Sequence, residues 1–338
     1  MKLLRKLLFP FSVVYWIIMS LRNKFYDLGW LESKSYSFPL IAAGNLSTGG
    51  TGKSPMIEFL ISNLKEHYKL AVLSRGYGRK SKGFKEVLVN SAAIETGDEP
   101  LQFKRKFPDV SIAVCEDRQL GIGLLEKDAD LILLDDAFQH RKVRPSYTIL
   151  LSTYGDLYVD DWVLPVGNLR ESKSGADRAD AIVVTKCPGE IGKAEMEDIR
   201  NKLNPKPYQR VFFTKIGYGN KIINESASKP IESLKYKQFT LVTGIANPKP
   251  LVAYLNDAGF DFTHKSFPDH HNFSLSEIED LEKEDIILTT EKDFMRLQPL
   301  LKQAELYYLP IKTIFHGTSD KEFLDRIIQH ININRKKG

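Results

Sequence analysis

The chain has 338 residues, 42% of them hydrophobic and 27% charged, which is typical of a soluble globular protein long enough for two domains. Its two cysteines, Cys115 and Cys187, are too few and too far apart for a disulfide scaffold or a zinc site, so we expect core thiols in a reducing compartment. The net charge is +5, but residues 1–26 carry five basic side chains and no acid, so the charge is an N-terminal feature and not a nucleic-acid-binding face.

An apolar run of 15 residues, 7–21, lies between the N-terminal basic residues. About 20 residues are needed to span a bilayer, and no small-residue cleavage site of a signal peptide follows the run. Tyr15 and Trp16 suit a membrane–water interface. We therefore predict an interfacial helix over residues 1–24 on an anionic membrane face. The alternatives are a helix docked on the protein itself, a true membrane-spanning helix or a signal peptide.

A glycine-rich segment follows the first predicted strand, residues 38–43, and precedes a helical pattern that starts near Pro55. Strand, loop and helix in this order are typical of a phosphate-binding loop, in which Lys53 reaches the outer phosphates and Ser54 reaches Mg²⁺. Ser47 stands where the strict pattern has glycine, and an ordinary glycine-rich turn is the alternative. The predicted nucleotide-binding residues are Ser47, Thr48, Gly49, Gly50, Thr51, Gly52, Lys53 and Ser54.

Short apolar runs alternate with helical patterns along the rest of the chain, which predicts a mostly parallel sheet with helices on both faces. The predicted strands are 38–43, 70–74, 110–115, 131–134, 147–151, 181–185, 210–214, 238–243 and 286–289. A polar, turn-rich stretch after residue 217 predicts a domain junction. We predict an N-terminal helix (1–24), a core (25–218), a linker (219–237), a smaller α/β domain that closes over the nucleotide (238–334) and a tail (335–338).

Polar residues stand where several predicted strands end, which is where α/β sheets bind ligands. Asp135 and Asp136 follow a buried run, and either is a candidate magnesium ligand; Gln139 and His140 come just after them. Arg75 and Tyr77 lie in a glycine-containing loop that suits an anion or a sugar, or is simply a mobile surface loop.

Two arginines and two histidines have open interpretations. Arg118 and Arg170 follow strand ends and are candidates to bind phosphate, although a lone arginine is more often half of a surface ion pair. His270 and His271 share a turn without further metal-ligand spacing, which favours a proton carrier or orienting partner over a metal ligand.

The segment Thr185-Lys186-Cys187-Pro188 is similar to the guanine-reading element of GTPases, but proline replaces its aspartate. ATP is therefore favoured by elimination.

Taken together, the motifs resemble those of the tetraacyldisaccharide 4′-kinases, the lipid A 4′-kinases of Gram-negative bacteria, over most of the chain. The motifs that carry the resemblance are the basic-apolar N-terminus, Ala43–Pro55, Ser74–Gly78, Gly97–Pro100, Asp135–His140, Leu164–Glu171, Phe267–His270 and Thr290–Asp293. The resemblance includes Ser47 in the loop. It implies a P-loop NTPase-like α/β fold and a kinase that uses ATP and Mg²⁺.

By this resemblance, the reaction is phosphorylation of the 4′-hydroxyl of an acylated glucosamine disaccharide 1-phosphate in lipid A synthesis. The resemblance implies that Asp98 and His270 form a catalytic pair, with His271 as the alternative partner, and that Lys53 acts with them. It implies metal or nucleotide roles for Ser54, Asp135, Asp136 and Glu171. Substrate or phosphate binding falls to Arg75, Tyr77, Arg118, Gln139, His140 and Arg170.

The resemblance also implies a peripheral or monotopic place on the cytoplasmic face of the bacterial inner membrane. The expected partners are the acylated disaccharide and the anionic membrane surface, with no nucleic acid and no obligate protein partner. The alternative function is a membrane-associated ATPase that drives assembly or positioning without a lipid acceptor, and a module that merely holds nucleotide is a third.

Overall fold

The structure, a computed structural model, describes residues 5, 7–269 and 271–335. Its helices are α1 (Phe9–Asp27), α2 (Lys53–Leu64), α3 (Ala93–Thr96), α4 (Asp98–Lys106), α5 (Arg118–Leu125), α6 (Lys193–Leu203), α7 (Lys249–Asp257), α8 (Leu275–Leu281), α9 (Glu291–Leu297) and α10 (Ser319–Arg335). Its strands are β1 (Lys34–Ser35), β2 (Leu40–Asn45), β3 (Leu70–Ser74), β4 (Lys85–Glu86), β5 (Ser111–Val114), β6 (Leu131–Asp135), β7 (Val143–Arg144), β8 (Tyr147–Thr153), β9 (Ala181–Thr185), β10 (Arg210–Tyr218), β11 (Lys221–Ile223), β12 (Ser228–Pro230), β13 (Phe239–Thr243), β14 (Phe262–Ser266), β15 (Ile286–Thr289), β16 (Glu305–Tyr308) and β17 (Ile311–Phe315).

A nine-stranded sheet forms the larger part of the molecule, in the order β17-β10-β9-β8-β2-β6-β3-β5-β4. All its neighbours are parallel except the two edge strands, β17 and β4. Alternate residues of β2 enter different cores: Ile41 and Ala43 pack with α2 and α10, whereas Leu40 and Ala42 pack with α5. Both faces are thus covered, which explains the nearly continuous apolar strand sequences and confirms the predicted α/β class.

The centre of this sheet brings two functional loops together. β2 pairs with β6 on one side and with β8 on the other, in parallel. The chain leaves β2 toward β3 and later fills the other side of the sheet with β8, β9 and β10, so the strand order switches direction at β2. A crevice forms at such a switch point. The glycine-rich loop and the Asp135–Asp136 turn both open into it.

A second, six-stranded sheet follows in the order β12-β11-β16-β15-β13-β14. It corrects the predicted division of the chain in two places. The predicted linker, 219–237, contains β11 and β12, which belong to this sheet. The predicted C-terminal domain ends too late, because β17 pairs antiparallel with β10 and returns the chain to the first sheet. The pairings of β11 with β16 and of β10 with β17 join distant segments, so turn composition did not reveal them.

The N-terminal helix α1 docks on the first domain through polar contacts. The Ser12 hydroxyl donates to the Val163 carbonyl at 3.1 Å, and the Tyr15 hydroxyl donates to the Arg170 carbonyl at 2.7 Å. A stripe of apolar side chains on α1 remains exposed, comprising Phe11, Val14, Ile18 and Leu21. Within the described part of the chain, no helix is long and apolar enough to cross a bilayer.

Candidate active site

The glycine-rich loop joins β2 to α2 at the sheet centre. Gly52 ends the loop with φ +85°, a conformation that favours glycine, and α2 begins at Lys53. Two threonines fix the loop: the Asn45 amide donates to the Thr51 hydroxyl at 2.8 Å, and the Thr185 hydroxyl donates to the Thr51 carbonyl at 2.8 Å. The Lys186 ammonium donates to the Gly50 carbonyl. This loop, followed by a helix N-terminus, suits a phosphate chain.

Basic side chains meet Asp136 beside the loop. The Lys53 ammonium lies 3.7 Å from the Asp136 carboxylate, and the Arg170 guanidinium lies 3.2 Å from its other oxygen. Arg170 also lies 3.4 Å from the side-chain oxygen of Gln139, whose amide nitrogen donates to the Asn45 carbonyl. The structure thus brings Lys53, Asp136, Gln139 and Arg170 together beside the loop, with both basic side chains next to the Asp136 carboxylate.

Glu99, which sequence reasoning did not select, occupies the centre of the site. Its carboxylate accepts from the Ser54 hydroxyl at 2.6 Å and from the Lys292 ammonium at 2.7 Å. Burial raises the pKa of Glu99, but the Lys292 charge and the hydrogen bonds of Lys292 and Ser54 outweigh it and lower the pKa to about 2. A carboxylate next to Asp98 was the only signal in the sequence, and a helix N-terminus explains that equally well.

Asp98 lies at the start of α4, directly after Gly97, which has φ +90°. Gly97 lies so close to the Tyr77 carbonyl oxygen that a Cβ atom added at Gly97 would be 3.1 Å from it. This contact places the Arg75–Tyr77 loop, whose two named side chains are exposed, beside Asp98. The Asp98 carboxylate accepts from Arg296 at 2.7 and 3.0 Å.

His270, the predicted partner of Asp98, lies outside the described residues. Its neighbour His271 contacts Glu277 at 3.0 Å and stacks on Phe267, so its ring is held within its own loop.

The oxygen ligands near the loop fit a magnesium ion. Asp135 is buried; one of its oxygens accepts from Ser74 at 2.9 Å, and the other, Oδ1, has no hydrogen-bond partner among the residues that the structure describes. Burial, followed by the charges of Glu99 and Asp136, raises the pKa of Asp135 to about 7. Mg²⁺ takes few protein ligands and completes its shell with water and phosphate. Among the described residues, no group of three or more His, Cys, Asp or Glu side chains is arranged to hold a metal ion by itself.

Glu171, for which the resemblance predicts a metal or nucleotide role, is buried and hydrogen-bonded to two side chains of the protein. Its side chain is 1% exposed, and its two oxygens accept from Arg178 at 2.9 Å and from Asn23 of α1 at 2.6 Å. Each carboxylate oxygen is therefore already engaged by a nitrogen of the protein. Through these two hydrogen bonds, Glu171 links α1 to the loop that follows Arg170.

Arg118, for which we predict phosphate or substrate binding, is buried next to Asp135. It is 2% exposed and donates to the carbonyls of Cys115 and Asp135, so it braces the ends of β5 and β6 beneath the site. His140 is half-buried nearby, where burial and then the Arg118 charge lower its pKa to about 4. A neutral imidazole at this position is suited to hydrogen bonding rather than to charge pairing.

Comparisons with known proteins identify the family of the chain. The family model described as tetraacyldisaccharide-1-P 4′-kinase matches residues 4–332. The tetraacyldisaccharide 4′-kinase of Flavobacterium johnsoniae is 47% identical, covering 99% of each chain, and that of Bacteroides thetaiotaomicron is 39% identical, covering 99% of this chain and 95% of the other. The crystal structure of LpxK from Aquifex aeolicus in complex with ATP is similar with a TM-score of 0.79 and 32% identity, covering 97% of this chain and 99% of that one.

Proposed function

The chain belongs to the tetraacyldisaccharide-1-P 4′-kinase family, and we propose that it transfers the γ-phosphate of ATP to the 4′-hydroxyl of an acylated glucosamine disaccharide 1-phosphate. The observation that carries the proposal is the contact between Ser54 of the phosphate loop and Glu99, the neighbour of Asp98. It puts a donor loop and a candidate base for an acceptor hydroxyl at one place in the crevice.

The phosphate loop and its basic neighbours bind the donor. In the structure, the charge of Lys53 is balanced by Asp136, and Arg170 lies on the other side of the same carboxylate. When ATP binds, Lys53 contacts its outer phosphates instead. Fixed charges aimed at the transferring group stabilise the charge that develops on its oxygens. Most of the rate acceleration is expected from this electrostatic effect.

Ser54, Glu99 and one of the two aspartates, Asp135 or Asp136, would hold Mg²⁺. When bound, the ion neutralises the charge of the phosphates. The orphaned Oδ1 of Asp135 and the Ser54 hydroxyl are the oxygen atoms of the chain that favour this assignment.

Asp98 acts on the acceptor. Its carboxylate accepts the proton of the sugar hydroxyl while that oxygen forms a bond to the γ-phosphorus and the bond to the β-phosphate oxygen breaks, leaving ADP. His270 remains the predicted partner that tunes Asp98. Arg75, Tyr77, Gln139 and His140 border this side of the crevice, and we propose that they contact the disaccharide or its phosphate.

The helix α1 holds the enzyme at the membrane. The Arg22 side chain donates to the Gln139 carbonyl and Tyr15 donates to the Arg170 carbonyl, so α1 touches residues beside the active site. Its exposed apolar stripe, with N-terminal cations, suits an anionic bilayer surface that contains the acylated substrate. We propose a peripheral location on the cytoplasmic face of the bacterial inner membrane.

Incubation with γ-labelled ATP and a total lipid extract tests the function. We expect label in an organic-soluble glycolipid. Label found only in free phosphate would favour the alternative, an ATPase without a lipid acceptor.

A further inference from the structure

Two basic residues of the second sheet's helix α9 face the two acidic residues that begin α4. Lys292 and Arg296 are four residues apart, so they lie on one face of α9. The Lys292 ammonium lies 2.7 Å from Glu99, and two Arg296 nitrogens lie 2.7 and 3.0 Å from Asp98. One helix turn thus contacts both of the site carboxylates that α4 supplies.

We propose that α9 is a positioning element with two separate duties: Arg296 orients Asp98 for the acceptor, and Lys292 orients Glu99 for the nucleotide and its ion. The proposal rests on the proposed kinase function and deepens it. It assigns both residues as positioning residues, because each acts through a carboxylate.

The residues packed behind Arg296 distinguish this arrangement from a surface ion pair. Its guanidinium is 13% exposed and lies 3.5 Å from the fully buried Asp293. Asp293 in turn accepts from the Gly244 amide at 2.8 Å and from the Thr290 hydroxyl at 2.8 Å. The arginine is therefore fixed from behind by the loop that follows β13, and its orientation is set before substrate arrives.

The interface between the two helices is also fixed at its other end. Glu291, the first residue of α9, accepts from Lys106 at 2.9 Å and from Gln102 at 3.3 Å, both on α4. Lys106 and Gln102 also donate to Glu58 of α2, the helix that begins at the phosphate loop. The register of α9 on α4 is thus determined by contacts other than the two proposed ones.

The hydrogen-bond pattern explains how a basic residue can orient a base without blocking it. Both Arg296 nitrogens donate to the same oxygen, Oδ2 of Asp98, so the plane of the carboxylate is fixed. We assign Oδ1 to the acceptor hydroxyl. In the same way, Lys292 and Ser54 both donate to Oε1 of Glu99, which leaves Oε2 on the side that does not face them.

Separate kinetic defects are the expected result of removing each basic residue. For Arg296→Gln we expect kcat for lipid phosphorylation to fall about 10²-fold, with the KM for ATP changed by less than about twofold, because only the base is misplaced. Arg296→Lys keeps the charge but not the two-nitrogen contact, and should recover kcat to within about tenfold of wild type. For Lys292→Met we expect the calorimetric dissociation constant of Mg²⁺ with a non-hydrolysable ATP analogue to rise roughly tenfold or more.

The matched control is Lys283→Met, which removes an exposed ion pair with Asp280 from the same part of the molecule. It should leave both measurements unchanged, and binding of the analogue by Arg296→Gln verifies that this variant is folded. The proposal is overturned if Arg296→Gln and Lys292→Met share one mixed defect, or if Arg296→Lys is no better than Arg296→Gln. A wild-type protein that labels no lipid contradicts the kinase function instead.

Discussion

At the scale of single residues, burial and partners decide which polar groups are available for chemistry. Asp135 and Glu171 are both buried carboxylates, but Asp135 keeps an unpartnered oxygen beside the phosphate loop, whereas both oxygens of Glu171 are engaged. Arg118 and Arg170 differ in the same way, since only Arg170 reaches a carboxylate of the crevice. Residue type alone does not distinguish the members of either pair.

Asp98→Asn is the direct test of the proposed base. An amide cannot accept the hydroxyl proton, so we expect kcat to fall by roughly 10²–10⁴-fold. Binding of a non-hydrolysable ATP analogue, measured by calorimetry, should be close to that of wild type, because the donor contacts are untouched. Unchanged turnover at saturating substrate would remove Asp98 from the mechanism.

At the scale of elements, the contact between α4 and α9 contains a carboxyl group that links stability to pH. Burial, followed by the Glu58 charge, raises the pKa of Glu291 to about 7 from an ordinary 4.5, although Lys106 opposes this. The folded protein therefore retains a proton that the unfolded chain has released. Its contribution to stability is full below pH 4.5 and is lost as the pH rises through about 7.

Glu291→Gln should remove this contribution. We expect the melting temperature of the variant to decline less than that of wild type between pH 5 and pH 7, as measured by calorimetric scans. The exposed Glu279 lies in the same domain, and Glu279→Gln serves as the control with the wild-type slope. Parallel curves for Glu291→Gln and wild type would contradict the assignment.

One face of the helix α1 is docked on the protein and the other is exposed, and we propose that the exposed face binds the membrane. Phe11 is 65% exposed and Ile18 58%, whereas Ser12 between them is buried on the protein. Each large apolar side chain that enters a membrane contributes about 1.5–3 kcal/mol, so Phe11→Glu with Ile18→Glu should weaken binding to anionic vesicles by at least roughly tenfold per residue.

Sedimentation with vesicles of anionic phospholipid measures this effect, and the melting temperature should be unchanged because both residues are exposed. Leu275→Glu, on an 84% exposed residue of α8, is the matched control. Equal sedimentation of the double variant and wild type would show that the stripe is not the membrane-binding face.

At the scale of the whole molecule, the second sheet is inserted between two strands of the first. The chain leaves through β10 and returns as β17, which pairs with β10, and α10 then packs on the sheet. Phe323 of α10 is fully buried against Phe212 and Phe315. The helix α10 therefore stabilises the nucleotide-binding domain.

Phe323→Ala tests whether the packing of α10 stabilises the nucleotide-binding domain. Truncation of a buried phenylalanine costs about 3–5 kcal/mol, so we expect a loss of that size in urea unfolding monitored by circular dichroism. Ile333→Ala, at a 44% exposed position on the same helix, should cost much less. A loss below about 1 kcal/mol for Phe323→Ala would mean that α10 contributes little to the first domain.

The features that are local along the chain could be predicted from the amino-acid order alone. Strand, glycine-rich loop and helix are consecutive, and so are β6 and its two aspartates, because apolar runs and glycine positions specify these elements directly. All nine predicted strands are present. The strands β11 and β12 and the return of β17 to the first sheet were not predicted. Short, half-exposed strands form because a partner strand pairs with them, and not because of a pattern in their own sequence.

Which side chains are in contact became clear only from the folded chain. Asp98 and Arg296 are 198 residues apart, and Glu99 and Ser54 are 45 apart, yet each pair is in hydrogen-bond contact. The availability of a carboxylate or guanidinium depends on the partners that folding brings to it, as Glu171 and Arg118 demonstrate. Charge pairing acts through space and produces no periodic pattern in the sequence. The types of chemical group in the site could therefore be predicted from the sequence, but their arrangement could not.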